Sequence, residues 1–123
     1  MESLRRRADF LSVAKGQRLS RPGFLLQARV LEPGESGALP GKRPPRFGFT
    51  VTRKIGNAVV RNRIRRRLRQ AVRAAETEAA PATDYVIVAR RAALTLQFER
   101  LVTDLRTGFA ALARGKPTAT GPN

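Results

Sequence analysis

The chain of 123 residues is the length of one domain, and its apolar content of 41% suits a single modest core. It carries a formal charge of +16, with 21 of its 25 cationic residues being arginine, and it contains no cysteine and no histidine. Disulfides, thiolate zinc sites and cysteine or histidine catalysis are therefore excluded, and a polyanionic partner is expected.

No long apolar stretch follows the basic start Met1–Arg7, so no secretory signal is read there. No apolar run approaches the roughly 20 residues needed to cross a bilayer. A cytoplasmic location without membrane contact is the expectation.

In chain order, residues 8–15 form the first helix candidate, with Phe10, Val13 and Ala14 on one side. Gly16 ends it, a residue that tolerates the left-handed cap conformation. Residues 24–31 alternate, with Phe24, Leu26, Ala28 and Val30 on a fully apolar face and Leu25, Gln27, Arg29 and Leu31 on a mixed one. That is a strand. Residues 33–45 hold four prolines and three glycines and read as a loop. Residues 46–53 alternate again, Phe47, Phe49 and Val51 inward, Gly48, Thr50 and Thr52 outward.

Asn57 is a good N-cap for a helix that runs to about Thr77 and ends before Pro81. Residues 84–90 contain the run Tyr85–Ala89, a short strand buried on both faces or nearly so. Thr95 reads as the cap of a last helix, whose Phe98, Leu101, Val102, Leu105, Phe109 and Leu112 form its apolar stripe. The tail 116–123 is rich in Pro, Gly and Thr and is expected to be flexible, leaving residues 1–115 as one domain.

This order, αββαβα, implies an α+β fold: a two-layer sandwich with one small mixed sheet and helices packed on it. The first two strands are expected to pair as an antiparallel hairpin. The strand–helix–strand unit of residues 46–90 should give two parallel strands, with a right-handed crossover as the general rule.

Charge is concentrated in one window. Residues 36–75 hold 12 lysines and arginines and not one acid. Surfaces kept soluble by charge mix both signs, whereas a one-sign block reads as a binding surface. In the central helix Val60, Ile64, Leu68, Ala71, Val72 and Ala75 form one apolar stripe. Asn62, Arg65, Arg66, Arg69 and Arg73 gather away from it, Arg63 and Arg67 lie along a flank, and Arg61 sits near the stripe at the first turn.

Like charges three and four apart repel by roughly a few tenths of a kcal/mol per pair. Such a face is favourable only when counter-charge arrives from outside. Phosphate supplies it, since a guanidinium fork bonds two of its oxygens at once. The helix N-terminus, beside Lys54, Gly56 and Arg61, adds free N–H groups and the positive end of the dipole. The alternative is an arginine-biased composition that has decorated a solvent face; bias accounts for arginine over lysine but not for the missing acids. The pattern by itself does not separate RNA from DNA.

The run from Arg53 to Val72, Arg-Lys-Ile-Gly-Asn-Ala-Val-Val-Arg-Asn-Arg-Ile-Arg-Arg-Arg-Leu-Arg-Gln-Ala-Val, joins a strand end, a Gly-Asn turn and an Arg-Asn-Arg helix. It resembles the signature of the bacterial ribonuclease P protein subunit. Ala8-Asp9-Phe10, the stretch from Gly48 to Lys54 and that from Asp84 to Arg90 extend the resemblance over roughly residues 4–112.

The resemblance implies a protein that assists a catalytic RNA in removing the 5′ leader of precursor tRNA, and that is monomeric in the assembly. It implies that RNA and bound Mg2+ do the chemistry, with no catalytic residue and no metal ligand on the protein. It implies RNA contacts from Lys54, Asn57, Arg61, Asn62, Arg63, Arg65, Arg66 and Arg69, and a left-handed crossover in place of the general rule. A cleft between the first helix and the exposed sheet face is implied to hold the single-stranded leader, matched here by Phe10, Gln27, Arg29, Thr50 and Thr52.

Single strands bind by stacking on aromatic rings and by cationic tracking of the backbone. Ala14 and Gln27 stand where some relatives place Phe and Tyr, so stacking falls mainly to Phe10 and affinity more to polar contacts. Ordinary core packing of the first helix stands beside that reading of Phe10.

Other features carry less. Asp84, Glu99 and Asp104 lack the spacing of a paired acid–base site, and Asp84 reads as a strand-start residue rather than a metal ligand. Magnesium is expected mainly on RNA phosphates. Arg90 and Arg91 either extend the RNA surface or form a solvated turn; Arg5, Arg6 and Arg7 form a basic arm with or without an RNA contact. Two other classes compete: a basic architectural protein, ribosomal or DNA-compacting, and a stand-alone nuclease. The lack of histidine, cysteine and a carboxylate cluster argues against the nuclease, and the Arg-Asn-Arg phrase favours the tRNA-processing subunit over the architectural protein.

Overall fold

The structure, a computed structural model, describes residues 1–32 and 43–113. Most of the loop read at 33–45, and the tail 116–123, lie outside the described residues. The elements are β1 (Glu2–Ser3), α1 (Arg7–Ala14), β2 (Gln17–Arg21), β3 (Phe24–Val30), β4 (Arg46–Thr50), α2 (Ala58–Ala75), β5 (Thr83–Ala89) and α3 (Phe98–Ala113). Short 3-10 turns occupy Arg53–Ile55, Glu76–Glu78 and Arg91–Leu94.

The five strands make one mixed sheet in the order β1–β4–β5–β3–β2. β4 runs parallel to both β1 and β5, while β3 is antiparallel to β5 and β2. The α+β class and the mixed sheet with helices packed on it are those implied by the sequence. The expected hairpin between β3 and β4 is not: β5 lies between them, with Ile87 facing Leu26 on one side and Phe49 on the other. Burial explains the difference. β5 carries the unbroken apolar run Tyr85–Ala89; a central place pairs both its edges, while α2 and α3 cover one face and α1 part of the other. The hairpin partner of β3 is β2, across the Pro22-Gly23 turn.

On one face of the sheet Phe24, Leu26, Phe47, Tyr85 and Ile87 meet Ile64, Leu68 and Val72 of α2 and Leu101, Leu105 and Phe109 of α3 in the main core. Phe47, Tyr85 and Phe109 form an aromatic cluster with ring centroids 4.8–5.8 Å apart. Such pairs add about 0.5–1.5 kcal/mol each beyond area burial. The opposite face is only partly covered. There α1 crosses Val86, and Leu4, Val13 and Val86 make a small second cluster.

The stripe read on α2 is buried as expected, with Val60 packed at its edge. The Asn57 Oδ1 accepts the Val60 N–H at 3.0 Å, a cap worth about 1 kcal/mol. β4 ends at Thr50 rather than at residue 53, because the 3-10 turn and Gly56, at φ 156°, swing the chain into α2.

Three local expectations are corrected. Gly16 is not left-handed; a Cβ there would fall 2.2 Å from the Ala28 carbonyl oxygen, so close approach to β3 demands the glycine. Thr95 does not cap α3 but closes the preceding 3-10 turn, its N–H bonding the Ala92 carbonyl at 3.1 Å. The first carbonyl of α3 to accept a helical bond is that of Gln97, from Leu101. Phe98 and Val30, both read as core-facing, are 37% and 64% exposed, since each occupies a terminal position of its element.

Candidate nucleic-acid interface

α2 presents its cationic side to solvent because its apolar stripe is fully committed to the sheet and α3. Asn62, Arg65, Arg66, Arg69, Gln70 and Arg73 line a shallow groove of about 420 Å³ along the helix. The Arg65 Nη1 donates to the Asn62 Oδ1 at 3.2 Å, and the Arg69 guanidinium lies 5.6 Å from the Phe49 ring centroid. Both contacts fix the height of the guanidinium over the helix while leaving N–H groups free. Among the described residues, none of the seven α2 arginines is ion-paired to an acid.

Not every arginine of the helix belongs to this face. Arg67 donates from Nε to the Ala93 carbonyl at 3.0 Å and from Nη2 to the Leu96 carbonyl, tying α2 to the turn before α3. Arg61 donates from Nε to the Gly56 carbonyl at 3.1 Å. Lys54 and Arg63 are exposed outside the groove, and the Asn57 side chain is engaged in the cap.

A second concavity, about 500 Å³, lies on the other face of the sheet. Gln27, Thr50, Val86 and Val88 form its floor, and Phe10, Leu11 and Ala14 of α1 its wall. The Phe10 ring rests on Gly48, where a Cβ would fall 2.5 Å from the ring. The missing side chain lets the aromatic lie against the sheet. Phe10 is half-buried, so core packing and an open ring edge coexist. Of the residues expected to face the leader, Phe10, Gln27 and Thr50 come together here; Arg29 and Thr52 do not line the cleft. Arg5 and Arg7, read only as part of a basic arm, do line it.

The acids near this cleft are committed to structure. Asp84, 1% exposed, takes both Nε and Nη2 of Arg46, at 2.8 and 2.6 Å. Among the described residues no group of three acidic side chains could hold a metal ion. No helix among the described residues is long and apolar enough to cross a membrane.

A family model described as Ribonuclease P matches residues 1–113. The chain belongs to the ribonuclease P protein family. The ribonuclease P protein component of Brucella suis is 52% identical over 109 residues, covering 88% of this chain and 77% of that one. That of Bartonella quintana is 48% identical over 103 residues, covering 83% and 76%. The RNase P protein of Thermotoga maritima superposes with a TM-score of 0.70 at 25% identity, covering 89% of this chain and 96% of that one.

Within this ribonuclease P family member, Gln70 and Arg73 complete the α2 groove, and Val86 and Val88 the cleft floor. The helical spacing of Gln70 and Arg73 from Arg66 and Arg69 was the signal for the first pair. The second pair carried none, since a strand buried on both faces hides which residues a cleft will reach.

Proposed function

We propose that this chain is the protein subunit of ribonuclease P, which docks its α2 face on the catalytic RNA and holds the 5′ leader of precursor tRNA in the α1 cleft. The observation that carries the reading is the row of α2 arginines with no acid partner on a helix whose other side is fully buried. The energy of that face is lowered only by an external polyanion. Lys54, Arg61, Asn62, Arg63, Arg65, Arg66 and Arg69 are assigned to the catalytic RNA, with Asn57 presenting the helix N-terminus. Phe10, Gln27 and Thr50 are assigned to the leader, with Arg5 and Arg7 following its backbone. Arg29 and Thr52 keep at most an outlying role.

On this reading hydrolysis belongs to the RNA, and the magnesium ions it uses sit on RNA phosphates. The protein acts in the cytoplasm as one copy per RNA, through a single domain of residues 1–115. The test is the salt dependence of binding to the catalytic RNA, with duplex DNA as control. If the α2 face meets about five phosphates, the log–log slope is roughly −3 to −5. A flat response, or equal affinity for the DNA, contradicts the reading.

A further inference from the structure

A third concavity, about 730 Å³, opens between the β2–β3 turn and α3, on the sheet face opposite the α1 cleft. It is lined by Ser20, Arg21, Arg90, Arg100, Thr103 and Thr107, together with Asp104. Its cations are held in place. The Arg90 backbone N–H donates to the Gly23 carbonyl at 3.0 Å and its Nη1 to the Arg21 carbonyl at 2.9 Å, stapling the turn to the end of β5. The Arg21 guanidinium donates to the Ser20 carbonyl at 3.1 Å and to the Thr107 Oγ1 at 3.4 Å.

Among the described residues, neither Arg21 nor Arg90 is ion-paired to an acid. Asp104, 7% exposed, is answered by Arg100, whose Nε lies 3.0 and 3.2 Å from its two oxygens. Three arginines against one aspartate leave the groove cationic, with the Ser20 and Thr103 hydroxyls beside the guanidinium edges and that of Thr107 engaged by the Thr103 carbonyl and Arg21. Held guanidinium groups next to hydroxyl donors are the set that grips a phosphodiester, and their prior ordering lowers the entropic cost of binding.

The groove also adjoins the start of α2. The Arg91 Nη1 donates to the Ile55 carbonyl and packs against Gly56, at the turn that opens the helix. One end of the sheet therefore gathers Arg90, Arg91, Arg53, Lys54 and Arg61, while Glu76, Glu78 and Asp84 lie at the other, where α2 ends and β5 begins. The geometry points to this groove as a further RNA-backbone site, which takes the phosphodiesters of a strand that continues past the N-terminus of α2. The inference rests on the reading of the chain as an RNA-binding subunit.

The native chain and the Arg21→Gln/Arg90→Gln variant are each titrated across a salt series, first with the full catalytic RNA and then, as assembled particle, with precursor tRNA. The expected result is a roughly three- to tenfold weaker affinity in one arm, with a salt slope smaller by about one to two. A loss in the first arm gives the groove to the catalytic RNA, and a loss in the second gives it to the substrate. Unchanged affinity and slope in both arms, with native binding intact, overturns the groove and leaves the subunit reading standing. Absence of salt-dependent binding by the native chain overturns both.

Because Arg90 staples the turn, a second measurement leaves the arginines in place. The chain has no cysteine, so Thr103→Cys accepts a single photo-crosslinking reagent beside the groove. Val30→Cys, at the far end of β3, is the control. Crosslinks to RNA from position 103 and none from position 30 support the site; none from position 103 overturns it.

Discussion

Arg46 and Asp84 face each other across the parallel strands β4 and β5, with Nε 2.8 Å from Oδ1 and Nη2 2.6 Å from Oδ2. Asp9 of α1 stands 3.6 Å from Nη1 of the same guanidinium. The hydrogen bond to Asp84 raises the Arg46 pKa further, against the opposing effect of burial. The Asp84 pair thus clips β4 to β5, and Asp9 links the same guanidinium to the first turn of α1. Asp84→Asn leaves the guanidinium with only the more distant Asp9 as counter-charge and is expected to cost roughly 3 kcal/mol, the lower end for a broken buried pair. Arg46→Met added to it should recover part of that loss. Denaturant melts of the four forms check this, and an Asp84→Asn chain as stable as the native one would show that the pair contributes nothing.

Phe10 has both a packing and a proposed stacking role, and two substitutions separate them. Gly48→Ala drives a methyl into the Phe10 ring, with an expected cost of roughly 1–3 kcal/mol and a displaced α1. Phe10→Leu keeps most of the apolar volume and should cost less than about 1.5 kcal/mol. It removes the stacking face, worth about 1–3 kcal/mol per base, so the affinity for a single-stranded leader RNA should fall by roughly five- to 150-fold. Anisotropy titrations and thermal melts on the same samples read both; undiminished leader affinity assigns Phe10 to packing alone.

Arg66 and Arg67 are sequence neighbours with different work. Arg67→Met loses hydrogen bonds to the Ala93 and Leu96 carbonyls, at an expected cost of roughly 1.5–3 kcal/mol in stability. Its effect on the salt slope should be small. Arg66→Met should do the reverse, leaving the melt within about 0.5 kcal/mol and reducing the slope by about one. Identical behaviour of the two variants would refute this division.

Burial pushes the Tyr85 phenol above its ordinary pKa, opposed by the Ala80 N–H that donates to its oxygen at 2.9 Å. The folded state therefore holds this proton more tightly than the unfolded chain. Its contribution is complete below about pH 10, the unfolded value, and is lost as the pH rises from there through the folded value. Tyr85 is the sole tyrosine, so phenolate absorbance reports it alone. Alkaline titration should show phenolate appearing together with unfolding, and Tyr85→Phe should remove that alkaline step. Phenolate formed in a chain that stays folded would contradict the assignment.

Legibility in the sequence followed the strength of the local pattern. α2 was readable because an apolar stripe, an Asn cap and a one-sign polar face all agree over 18 residues. β2 was missed because Gln-Arg-Leu-Ser-Arg offers Leu19 alone to the core, too little for an alternating signal. The wrong hairpin came from pairing strands in chain order, although the unbroken apolar run Tyr85–Ala89 already asked for a central position. The α2 groove was legible from helical spacing. The Arg67 tether, the Arg46–Asp84 pair and the groove at Arg21 were not, because each joins residues far apart in sequence through a register or packing that no local pattern encodes.

The most direct measurement is cleavage of precursor tRNA at low magnesium by the catalytic RNA alone, by the protein alone, and by the two together. The account predicts that the protein alone cuts nothing and that its addition restores cleavage by the RNA. It also predicts that Arg65→Ala/Arg66→Ala/Arg69→Ala loses most of that restoration while remaining folded. Cleavage by the protein without RNA, or full restoration by the triple variant, would contradict it.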